Sequence, residues 1–122
     1  MARFLLVLKP AGNPSSPWIL EQLLPVLEAL QGEVDHRTPA HLSALLKGAA
    51  EVQRMQLFAD VQAKEDGAVL ELVLLSREAM GTGAPETRAV FRELLTLLQR
   101  HLSCFQHVFR SDRDGALPQQ PE

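Results

Sequence analysis

Tyrosine is absent from this sequence, and its only aromatic residues are five Phe and one Trp. So few rings argue against a platform on which bases or sugars stack. A single cysteine, Cys104, excludes an internal disulfide and any cysteine-based structural zinc site. A lone thiol fits a reducing compartment. Clusters of Lys and Arg are missing as well. Twelve basic and fifteen acidic residues are mixed along the chain, for a net charge of −3. Neither a nucleic acid nor an anionic membrane surface is therefore expected as a partner. No apolar run is long enough to cross a bilayer. At the start, Arg3 precedes only five apolar residues before Lys9-Pro10, which is too short for the core of a signal peptide. The expected location is cytoplasmic.

What is present suffices for one domain. The chain has 122 residues, and 46% of them are hydrophobic, with leucine dominant; a core can form without staples. Phe4 to Leu8 reads as a buried strand, and the breakers from Pro10 to Pro14 follow it as a loop. Ser15-Ser16-Pro17 is a helix start, a serine cap with proline at the first helical position. Ile19, Leu20, Leu23, Leu24, Leu27 and Leu30 keep helical spacing up to Gly32, read as the C-cap. Pro25, inside this stretch, should kink or split the helix. Thr38-Pro39 repeats the cap-then-proline start, and Leu42, Leu45 and Leu46 predict a short extra helix near 39–48.

The period then changes to two. Met55, Leu57, Ala59, Val61 and Ala63 alternate with polar residues and Phe58, which is a strand pattern. Asp66-Gly67 is a hairpin signal, and Val69 to Leu75 reads as the returning strand. After a Gly-rich turn over Met80 to Pro85, the apolar stripe Val90, Phe91, Leu94, Leu95, Leu98 and Leu102 predicts a second long helix over Glu86–Leu102. Phe105 to Arg110 reads as a last strand. The expected domain spans 1–110, and 111–122 is expected to be a disordered tail. Treating the short helix as an insertion, the order is βαββαβ. The expected fold is thus α+β and ferredoxin-like: a four-stranded antiparallel sheet with two long helices on one face.

The hairpin also predicts faces. A turn at Asp66-Gly67 pairs Ala63 with Leu70, Val61 with Leu72 and Ala59 with Leu74 on the helix-covered side. The opposite side then carries Leu5, Val7, Phe58, Val69, Val73 and Leu75, rimmed by Arg3, Lys9, Asp60 and Glu71. A solvated sheet face should be mostly polar, whereas a polar-rimmed apolar patch marks an interface or ligand surface. The expected role is a non-catalytic, self-associating or protein-interaction and regulatory domain, a homodimer through this face.

Two alternatives carry chemistry. A small cofactor-free enzyme would draw on His107, His36 and Asp60 for proton transfer at a dimer-interface pocket. His36 and His41 are separated by Thr38-Pro39, so they make no helical pair of metal ligands, and neither a metal nor a cofactor is expected. A sensor would instead bind a small anion where the Gly-rich turns open the two helices, at Lys9, Gly12, Ser15 and Ser16 together with Arg77, Gly81, Thr82 and Gly83. Neither turn matches a phosphate-binding fingerprint. Cys104, beside Phe105, reads as a small buried hydrophobe.

Overall fold

In a computed structural model, residues 2–12, 14–46, 55–65, 67–79, 81 and 83–111 are described. The chain runs β1 (Ala2–Lys9), α1 (Ser16–Glu21), α2 (Leu24–Ala29), β2 (Gly32–Thr38), β3 (His41–Leu46), β4 (Met55–Lys64), β5 (Gly67–Ser76), α3 (Pro85–His101) and β6 (Gln106–Arg110). One six-stranded sheet takes the order β2-β3-β4-β5-β1-β6, and every neighbouring pair is antiparallel.

This corrects the ferredoxin-like expectation. The sheet has six strands rather than four, and the helical layer is one long helix and one bent pair rather than two long helices. The segment read as an extra helix near 39–48 supplies the difference, because 39–46 belongs to a β-hairpin; residues 47 and 48 lie outside the described part. The spacing of Leu42, Leu45 and Leu46 suits a helix, but Leu42, Ala44 and Leu46 alternate just as well and are the buried set. Pro39 opens the two-residue turn closed by Thr38 and His41 instead of a helix, a position its fixed φ also suits. β2 is exposed along almost its whole length, so it lacks the apolar alternation that reveals a strand.

Pro25 divides the first helical stretch. It sits in the first turn of α2, where its missing N–H leaves no bond unmade. The Ser15 side chain caps α1 by accepting the Trp18 N–H at 3.4 Å. Where Gly32 was expected to cap the helix, Gln31 takes the left-handed conformation, with φ 55°. Gly32 has a different duty as the first residue of β2. A Cβ there would lie 3.0 Å from a Leu46 methyl and 3.2 Å from the Leu27 carbonyl oxygen.

Both helical units cover one side of the sheet. Ile19, Leu20, Leu23, Val26 and Leu27 meet Val90, Phe91, Leu94 and Leu98 over Phe4, Leu6, Leu8, Leu57, Leu70, Leu72 and Leu74. The Phe4 and Phe91 rings stack with centroids 5.1 Å apart, and the Arg88 guanidinium lies 5.5 Å from the Phe4 ring centre. Among the described residues, no helix is long and apolar enough to cross a membrane.

The β4–β5 register is also corrected. Lys64 pairs with Gly67, and Ala63 with Ala68 rather than Leu70. All ten residues of each strand then find partners. Asp66 itself lies outside the described residues. Because the difference is two residues and the side-chain period is two, every side chain keeps its expected face.

Gln31→Gly should relieve the left-handed strain and raise stability by on the order of 1 kcal/mol, a few degrees in Tm. Gly32→Ala should lower Tm through the two close contacts. Thermal denaturation followed by circular dichroism checks both signs.

Candidate functional site

Three rows of side chains cross the sheet face that the helices leave open. Arg3, Leu75, Gln56 and Leu45 form the first, Leu5, Val73, Phe58 and Ser43 the second, and Val7, Glu71, Asp60 and His41 the third. All six expected interface residues lie on this face. Val7, Phe58, Val69, Val73 and Leu75 are half-buried. Leu5 is only 3% exposed and Phe109, opposite Val7 on β6, only 8%. These last two therefore support the surface more than they present it. Neither belongs to the main core cluster. The Leu5 N–H donates to Ser111 Oγ at 2.9 Å, which ties the residue after β6 back to β1. Residues 112–122, the rest of the expected tail, lie outside the described part.

The apolar rows end in a polar edge on β2, β3 and β4. His41 Nδ1 and Asp60 Oδ1 are 2.6 Å apart, with both side chains partly exposed. The His36 ring centre is 5.7 Å and the Phe58 ring centre 6.4 Å from that of His41. Beside them, Ser43 Oγ donates to Asp35 Oδ1 at 2.5 Å, and the Gln56 amide reaches Asp35 Oδ2 at 3.4 Å. A carboxylate on Nδ1 orients the imidazole and leaves Nε2 for an outside partner. Of the expected proton-transfer residues, His36 and Asp60 thus belong to one cluster. His107 does not, since it lies on β6, at the far edge of the sheet, paired with Leu8 of β1. His41 is not among the expected proton-transfer residues, because the sequence pattern predicts a helix over 39–48. The signal that could have found it is the tight turn at Pro39-Ala40, which sets Thr38 against His41. Among the described residues, no group of three or more His, Cys, Asp or Glu side chains is arranged to hold a metal ion.

The two Gly-rich turns lie apart. Leu8 pairs with Leu70 but Ala2 pairs with Ser76, so the end of β1 and the end of β5 are about 20 Å apart along the sheet. Lys9, Gly12, Ser15 and Ser16 sit at one end; Arg77, Gly81 and Gly83 sit at the other, and Thr82 lies outside the described residues. An open groove of about 590 Å³ adjoins the first turn, lined by Gly12, Pro14, Ser15 and Ser16 and by Ala63, Lys64, Glu65, Gly67 and Ala68.

At the second turn, the α3 N-terminus already has its anion. The Glu78 carboxylate accepts the Glu86 N–H at 3.1 Å, the Thr87 N–H at 2.7 Å and the Thr87 hydroxyl at 2.6 Å. Ser76 Oγ accepts the Glu78 N–H at 3.1 Å and is 2.6 Å from Thr87 Oγ1. Desolvation pushes the Glu78 carboxyl up, but the bonds from Thr87 and Glu86 outweigh it and hold its pKa below the ordinary carboxylate value. Cys104, expected to be buried, is an exposed free thiol, because it falls in the turn between α3 and β6.

Comparison with known proteins finds no matching family model, no matching curated protein and no matching solved structure.

A carboxyl whose folded pKa is lowered stabilises the fold above its unfolded pKa, and the contribution is lost as pH falls through the folded value. Glu78→Gln should therefore lower Tm at pH 7, and the gap to wild type should close in acid below the ordinary carboxylate range. An equal gap at both ends of a pH series of melting curves would refute this role for the charge.

Proposed function

We propose that this chain is a non-catalytic interaction domain that works as a homodimer through its open sheet face. The observation that carries the reading is the cluster of Leu5, Val7, Val69, Val73 and Leu75 on β1 and β5, with Phe58 beside it, over which no helix or strand of the described residues packs. Six strands of five to ten residues, at about 4.8 Å spacing and about 3.4 Å per residue, give a face on the order of 800 Å². That is about one side of a standard protein interface. At roughly 25 cal/mol per Å², covering the apolar half offers several kcal/mol before association entropy is subtracted. The lone thiol, exposed at Cys104, supports a reducing, cytoplasmic setting.

The His41–Asp60 contact favours a second reading, in which the partner copy encloses a proton-transfer site at the polar edge. A dimer structure with that edge solidly filled would count against it.

Multi-angle light scattering should give a dimer mass for the wild type and a monomer mass for Val73→Asp, with the helical circular dichroism unchanged. A wild type that stays monomeric at high concentration refutes the homodimer. Unfolding of Val73→Asp would show instead that Val73 is needed within the monomer.

A further inference from the structure

Resting on the homodimer reading, we infer that the two copies meet across a two-fold axis that runs perpendicular to the strands, through the row Leu5–Val73–Phe58, and places Arg3 of one copy against Glu71 of the other. The register supplies the geometry. Arg3 lies one row to one side of this line, paired with Leu75, and Glu71 lies one row to the other side, paired with Val7. The two charges are on adjacent strands, four residues apart in level, or about 14 Å. That is too far for them to meet within one chain. A two-fold axis along the central row exchanges the outer rows. Arg3 then lies over Val7 of the other copy, offset from its Glu71 by one strand spacing of about 4.8 Å in the sheet plane, and the two side chains point toward each other across the gap of about 10 Å between the sheets. Gln56 lies over Asp60 of the other copy, an amide facing a carboxylate. Val73 and Phe58 each face their own copies, and no two like charges from these rows coincide.

The competing arrangement fails on charge. An axis along the strands, between β1 and β5, keeps each row opposite itself. It puts Arg3 beside the second Arg3 and Glu71 beside the second Glu71 at one strand spacing. Like charges so placed oppose association and select the other partner geometry. Twisted sheets packed face to face keep their strands within about 30° of alignment, so the rows stay matched over the central strands, where these residues lie. Both charges reach the surface of the open face: Arg3 is exposed and Glu71 half-buried.

The test uses single charge reversals. Arg3→Glu and Glu71→Arg should each raise the dimer dissociation constant by about tenfold or more, since a symmetric dimer contains the contact twice. An equimolar mixture of the two variants should form heterodimers with a dissociation constant within about threefold of wild type, because only across two chains do the reversed charges meet opposite partners. A second readout fixes the axis. In a Cys104→Ser background, a bis-maleimide that bridges about 10 Å, the spacing of two packed sheets, should link Val73→Cys into a dimer and leave Leu75→Cys unlinked, since the second site is also displaced about 14 Å along the strands from its copy. Equal cross-linking at both positions, or a mixture no tighter than the single variants, overturns this axis and leaves the homodimer standing. A wild type that is monomeric throughout removes both.

Discussion

The fold depends on where its first strand goes. β1 is held between β5 and β6, so Phe4, Leu6 and Leu8 lie in the middle of the core and not at its margin. Phe4 stacks on Phe91 and has Arg88 over its ring, which sets α3 across the strand. The start of α3 is tied in turn to the end of β5 by Glu78, Thr87 and Ser76. A leucine-rich first strand also has apolar residues on both sides. Leu5 and Val7 point away from the helices for the same reason that Phe4 and Leu6 point toward them: successive residues of a strand face opposite ways.

The unusual property of the molecule follows from that alternation. The two helical units cover one side of the sheet except along the exposed edge strand β2, and the other side is apolar mainly on β1 and β5, with Phe58 added from β4. Charge enters on that side row by row. Arg3 stands on one side of the apolar centre, Glu71 and Asp60 on the other. The polar groups at the β2–β3 end are bound to one another, His41 to Asp60 and Ser43 to Asp35. They form a finished border around the apolar rows.

Much of this was legible where periodicity was strong. β1, β4, β5, β6 and α3 were anticipated within a few residues, and the six open-face residues were assigned to the correct side. That assignment survived a wrong pairing in the β4–β5 hairpin only because the discrepancy was two residues; a discrepancy of one would have turned each strand over. The β2–β3 hairpin was illegible for two separate reasons. β2 is a nearly fully exposed edge and carries no apolar signal, while β3 has leucines whose spacing satisfies a helix and a strand equally. Missing that hairpin hid the site's polar edge, since only the turn at Pro39 brings His41 alongside β2. The expectation that both Gly-rich turns share one end of the sheet depended on strand direction. Antiparallel β1 and β5 end at opposite ends of the sheet, and the α3 turn is filled by Glu78, a residue that simple motif spacing does not single out.

The position of β1 also sets an order of events during synthesis. β2, β3, β4 and β5 are consecutive in the chain and can pair as they emerge, each with the strand just made. β1 leaves the ribosome first but cannot join the sheet until Leu70 to Ser76 exist, and its other edge stays open until β6 follows α3. Such distant pairings are slow to close. Until then the emerging chain carries Phe4-Leu5-Leu6-Val7-Leu8 as an unpaired apolar segment, the kind that chaperones shield and that drives misassociation when left bare.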